Sequence, residues 1–222
     1  MLKRFSMCLI ILSSFFLINA YAAKPINLTI AKARVVTYYE SGTYQKRVNA
    51  LVAHAKKILE KRIAQTKGHQ KLAIILDIDD TSINNYPIEK EHDFASTLPM
   101  IEETFRRSHE ANPAILSLYN YAKAHGVAVF FITGRPQPFY DITVENLKLA
   151  GYKNWNKLYT HSNISREASI KQNASTNYKQ AVRQSLRKQG YEIVLNIGDQ
   201  ATDLTNSHAD LNVKLPNYMY QV

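Results

Sequence analysis

Apolar residues recur along this chain with two different periods, and the order of those periods predicts the architecture. Val48, Leu51, Val52, Ala55, Ile58, Leu59 and Ile63 fall three and four apart, while Lys46, Lys56, Lys57 and Lys61 lie elsewhere. That spacing is a helix with one buried stripe, and 24–68 reads as mainly helical, ending at Gly68. From Leu72 the pattern changes to a continuous apolar run, Leu72-Ala73-Ile74-Ile75-Leu76, as expected of a strand covered on both faces of a parallel sheet. Similar runs occupy 127–132 and 193–197, with weaker strands at 158–160 and 213–215. Helices are predicted from Asn112-Pro113 to about His125 before Gly126, over 138–151, and over 177–188 before Gly190. Alternating strands and helices require parallel pairing and right-handed crossovers. The expected fold class is α/β: a doubly wound, three-layer, Rossmann-like domain with N-terminal helices.

One stretch departs from this pattern. Residues 82–110 are polar, carry Pro87 and Pro99, and are longer than the usual strand-to-helix connection. They are predicted to form a small cap or flap over the strand ends.

Each of the three apolar runs ends in polar residues. Asp77-Ile78-Asp79-Asp80-Thr81 follows the first, Thr133-Gly134-Arg135 the second, and Gly198-Asp199-Gln200-Ala201-Thr202-Asp203 the run at 193–197. Lys179 lies early in the helix before that last strand. In a parallel sheet these ends converge on one crevice. Taken singly, each has an ordinary reading as a cap, a turn or a solvated lysine. Packing gives no reason to place so many carboxylates at buried strand tips, because an unpaired charge resists leaving water. Two carboxylates about 6 Å apart repel by roughly 3 kcal/mol at an effective dielectric near 20. A cation is therefore expected among them. An EF-hand loop starting at Asp77 is excluded, since Ser82 and Ile88 occupy positions that need glycine and glutamate.

The N-terminus changes the setting of this chemistry. Lys3 and Arg4 precede an apolar stretch over 7–18, and Ala20-Tyr21-Ala22 has the small-x-small form of a signal-peptidase site. Cleavage after Ala22 is expected, giving a leader at 1–22, a helical segment at 23–68 and the main domain at 69–222. An uncleaved anchor is the alternative, although the stretch is short for a membrane span. Cys8 is the chain's single cysteine and would leave with the leader, which excludes disulfides and cysteine catalysis in the mature protein. The expected location is the periplasm or the exterior, with no stable membrane anchor. The formal charge of +10 falls to about +8 without Lys3 and Arg4. Such a surplus would draw in anionic partners, including phosphorylated substrates, nucleic acid and anionic cell surfaces. It is spread rather than clustered, so a soluble surface that is simply basic is the alternative and nucleic acid is not expected. The seven histidines show no metal-ligand spacing and read as surface or loop residues.

At its strand-end motifs the chain resembles the haloacid dehalogenase (HAD) superfamily, most closely its acid phosphatase branch, subfamily IIIB, which includes class B acid phosphatases and vegetative storage proteins. Asp77-Ile78-Asp79-Asp80-Thr81 is similar to the D-x-D-x-T motif, Thr133 to the second motif, Lys179 to the third, and Asp199 with Asp203 to the G-D-x-x-x-D form of the fourth. Ser82 stands where the family carries an apolar residue. The resemblance implies Asp77 as nucleophile and Asp79 as general acid and base. It implies Thr133, Gly134, Arg135 and Lys179 as contacts to the phosphoryl group. Mg²⁺ is the implied cofactor, held by Asp77, the Asp79 carbonyl and Asp199, with Asp203 in support. Tyr86 and Phe94 are expected either to pack the flap or to stack on a leaving group. The implied function is an exported acid phosphatase acting on small phosphate monoesters. A weakly active binding or storage protein and a phosphotransferase to alcohols are the alternatives. Assembly into a homo-oligomer is compatible with all three.

Overall fold

A computed structural model describes residues 25–67, 70–95, 97–161 and 172–221. The expected leader with Cys8, and also Gly68 and His69, lie outside the described residues. Helices α1 (Leu28–Glu40) and α2 (Thr43–Gln65) form the N-terminal segment. They are separated at Gly42, whose φ of 79° suits a residue without a Cβ. Val48, Val52, Ala55 and Leu59 of α2 are buried, as their spacing predicts.

Five strands follow: β1 (Lys71–Leu76), β2 (Ala128–Pro136), β3 (Lys157–His161), β4 (Tyr191–Gly198) and β5 (Leu211–Lys214). All pair in parallel, in the order β3-β2-β1-β4-β5. The chain winds outward from β1 through β2 to β3, then returns to the other side of β1 through β4 to β5. The order therefore reverses at β1 and β4, where a doubly wound sheet opens a crevice beyond its strand ends. Helices α2, α5 (Pro113–Ala124) and α6 (Tyr140–Leu149) cover one face, and α7 (Gln172–Lys188) covers the other. The three layers match the expectation. The boundaries shift, since β2 continues through Thr133-Gly134-Arg135-Pro136 and α7 begins at Gln172.

The flap contains two helices, α3 (Tyr86–Glu91) and α4 (Leu98–Arg107). Its ends are tied together where Asn84 N–H donates to the Glu110 carbonyl at 2.7 Å and Asn112 N–H to that of Ser82 at 2.9 Å. Among the described residues no helix is long and apolar enough to cross a membrane.

Candidate active site

Asp77 stands one residue past β1. Its N–H donates to the Ile197 carbonyl at 3.0 Å, which pins the tip of β1 to β4. Across the crevice Asp199 follows β4, and Thr81 Oγ1 donates to Asp199 Oδ1 at 3.1 Å. Asp203 lies on the short helix α8 (Ala201–Leu204) and folds back to accept the Gln200 N–H at 2.8 Å. Gly198 makes that return possible: a Cβ there would sit 2.3 Å from the Asp203 Cβ.

Lys179 of α7 joins these groups. Its Nζ donates to Asp77 Oδ1 at 2.7 Å and to Asp203 Oδ1 at 2.5 Å. Carboxylate oxygens of Asp77, Asp199 and Asp203 all lie within 4.8 Å of one another. One ammonium thus faces three buried carboxylates. Burial, followed by the Asp203 charge, pushes Asp77 well above the usual carboxylate range even beside Lys179. Burial and then Asp203 raise Asp199 to about 6. Burial alone would discharge Lys179, but Asp203 and Asp77 hold it protonated. The surplus negative charge and the all-oxygen donor set fit a hard divalent cation.

Asp79 has a different environment. Arg135 grips it through two bonds, Nε to Oδ2 at 2.9 Å and Nη2 to Oδ1 at 2.6 Å. Asn85 Nδ2 adds a third at 2.9 Å. Burial would raise this carboxyl, but the Arg135 charge and its hydrogen bonds hold it below the ordinary value. Arg135 itself is buried, stacks over the Phe105 ring at 4.6 Å and reaches Thr143 Oγ1. Its guanidinium is therefore engaged by Asp79 rather than facing open space, unlike the phosphoryl contact expected from its position after Thr133. Thr133 is buried and accepts the Arg135 N–H at 3.1 Å, while Gly134 is exposed.

Asp80 turns away from the nucleophile, with a left-handed φ of 53°. Its carboxylate accepts the Asn85 N–H at 3.0 Å and the Tyr220 hydroxyl at 2.5 Å. Ser82 is fully buried and donates to the Asp77 carbonyl at 2.5 Å, so its hydroxyl is satisfied where an apolar residue was expected. Tyr86 stacks on Tyr39 of α1 at 4.5 Å, which favours the packing reading over a leaving-group platform. His161 corrects the surface reading of the histidines: it is buried at the end of β3, against Tyr178.

Several supporting residues had no sequence signal. Asn217, near the C-terminus, donates to Asp199 Oδ2 at 2.8 Å, and Gln200 donates to the same oxygen at 2.6 Å. Arg183, one turn beyond Lys179, donates to the carbonyls of Asp203 and Thr205. Glu91, His92 and Glu103 also approach within 4.8 Å, but on the flap surface, where Arg107 pairs with both glutamates.

The comparisons with known proteins give the family. A family model described as "HAD superfamily, subfamily IIIB (Acid phosphatase)" matches residues 18–222. Vegetative storage protein 1 of Arabidopsis thaliana is 34% identical over 153 residues, covering 67% of this chain and 54% of that protein. Acid phosphatase 1 of Solanum lycopersicum is 33% identical over 153 residues, covering 67% and 58%. The chain thus spans little more than half the length of these relatives. The class C acid phosphatase from Bacillus anthracis with tungstate bound superposes with a TM-score of 0.63 at 20% identity, over 87% of this chain and 85% of that one. At that identity the likeness concerns the fold.

Proposed function

From the premise that this chain belongs to HAD subfamily IIIB, the acid phosphatase family, we propose that it is an exported phosphomonoesterase working through an aspartyl-phosphate. The observation that carries this reading is the clustering of the Asp77, Asp199 and Asp203 carboxylates, two of them bonded to Lys179, with Asp79 two residues beyond Asp77 at the end of β1. Asp77 attacks phosphorus in line; the bond to the leaving oxygen breaks, and that oxygen takes its proton from Asp79. Water then attacks the phosphoryl group, Asp79 takes the water's proton, and the bond to Asp77 breaks to release inorganic phosphate. Lys179, Thr133 and the amides of Gly134 and Arg135 counter charge on the phosphoryl oxygens.

Asp77, the Asp79 carbonyl and Asp199 would hold Mg²⁺, with Asp203 supporting. The ion would neutralise the carboxylates and polarise the phosphoryl oxygens. Export rests on Lys3, Arg4, the apolar stretch at 7–18 and Ala20-Tyr21-Ala22.

The test is hydrolysis of a chromogenic phosphate ester with and without Mg²⁺. EDTA-sensitive turnover that Asp77→Asn abolishes in a folded protein is expected; full activity in that variant would end the assignment. A storage role is the second reading, favoured by the similarity to vegetative storage protein 1. Robust turnover would argue against it. Transfer to added glycerol would reveal a phosphotransferase.

A further inference from the structure

Glu89 is buried in the flap at 6% exposure, and among the described residues no hydrogen bond or ion pair holds its carboxyl. It lies on α3 four residues after Asn85, so the two share a helix face. Asn85 is the residue that reaches Asp79. A helical side chain leans back toward the helix N-terminus, so Glu89 leans toward Asn85 and, beyond it, Asp79. The charge that acts on Glu89 is that of Asp79. Glu89 has no partner of its own among the described residues, and Asp79, whose charge reaches it, is the group assigned above to the leaving oxygen.

We infer that Glu89 is a specificity-determining residue that selects the charge of the leaving group. It would favour phosphate esters whose alcohol carries an ammonium or other donor close to the ester oxygen, and reject alcohols bearing a carboxylate or second phosphate. The inference rests on the phosphatase reading above. An incoming ammonium would supply the partner that Glu89 lacks, whereas an incoming anion would face both Glu89 and Asp79.

Three two-carbon esters isolate the effect: phosphoethanolamine, phosphoglycolate and ethyl phosphate. They present a cationic, an anionic and a neutral leaving group of similar size. Burial and the Asp79 charge raise the Glu89 carboxyl to about 7, so assays at about pH 8 keep it ionised. With kcat/KM for each protein referred to its own value for ethyl phosphate, the wild type should favour phosphoethanolamine over phosphoglycolate by at least about tenfold. Glu89→Gln should bring that ratio to within about threefold of unity, and Glu89→Asp should preserve its direction. A wild-type ratio near unity overturns the inference without recourse to any variant. So does a ratio that Glu89→Gln leaves unmoved. If ethyl phosphate is hydrolysed and only the ratio fails, Glu89 loses this role while the phosphatase reading stands. If none of the three is hydrolysed at about pH 8 or at about pH 5, the inference falls, and the phosphatase reading falls with it only if the chromogenic ester is not turned over at about pH 5 either.

Discussion

Arg135 and Asp79 form a two-pronged ion pair in which the guanidinium is fully buried and the carboxylate one-fifth exposed. Only Gly134 separates Thr133 from this arginine, yet its side chain serves the first strand's carboxylate. The pairing bears on the pH at which the proposed reaction can run. A general acid must be protonated in the first step, and Arg135 favours the ionised form of Asp79. The protonated fraction therefore grows only as the pH falls, which ties acidic activity to this contact.

Replacing Arg135 with alanine should consequently move the limb of the kcat/KM profile that reports Asp79 to higher pH, by a unit or more. It should also strand a buried carboxylate, lowering unfolding stability at neutral pH by about 3 kcal/mol. The sign of the linkage follows from the depressed value. In the wild type this pair stabilises the fold above the ordinary aspartate pKa and loses that contribution as pH falls through the still lower folded value. The gap between wild type and variant should therefore narrow in acid. Urea unfolding at a series of pH values measures it, and a gap independent of pH would contradict the assignment.

Asp77 and Asp199 respond in the opposite sense. Both are raised in the folded protein, Asp199 to about 6, so the fold binds more protons than the unfolded chain across that range. Stability of the metal-free protein should fall as pH rises from about 4 to about 6. A divalent cation would replace those protons. Added Mg²⁺ should thus raise the melting temperature more at pH 7.5 than at pH 5, and Asp199→Asn should remove most of that difference. Differential scanning fluorimetry decides this without any activity assay.

Gly198 offers a purely steric test. The Cβ of an alanine would lie 2.3 Å from both Cβ and Oδ2 of Asp203, so α8 would have to move. Gly198→Ala should cost about 1–3 kcal/mol of stability and loosen the Lys179–Asp203 contact, with activity falling more steeply than stability. A variant with wild-type melting and turnover would show that α8 yields freely.

The parts of this molecule that were legible in advance share one property: they break a local pattern. Asp77 and Asp199 interrupt apolar runs, and charge at a buried strand end is conspicuous against a hydrophobic background. The three-layer order followed from alternating periods. Asn85, Asn217 and Tyr220 were illegible because they come from polar or irregular segments where an amide or a hydroxyl is unremarkable. Their significance arises only when the fold brings Asn217 to Asp199 across 18 positions and Tyr220 to Asp80 across 140. Arg135 was visible as a charge, but its target depended on which way one side chain turned at the end of β2.

The C-terminal residues carry the last prediction. Tyr220 is buried around its hydroxyl and donates to Asp80, while Asn217 holds one oxygen of Asp199 and accepts the Met219 N–H. Lys214 meanwhile donates to the Asp199 carbonyl. The acidic loops are thus braced from behind by the end of the chain. Tyr220→Phe should leave the Asp80 oxygen without its donor and cost about 1–3 kcal/mol. Asn217→Ala should act on Asp199 instead, weakening Mg²⁺ binding by about 10- to 100-fold with a smaller change in melting temperature. Calorimetric titration of Mg²⁺ into each variant separates the two effects. If both variants bind Mg²⁺ as the wild type does, the C-terminal residues support the fold but not the ion-binding carboxylates.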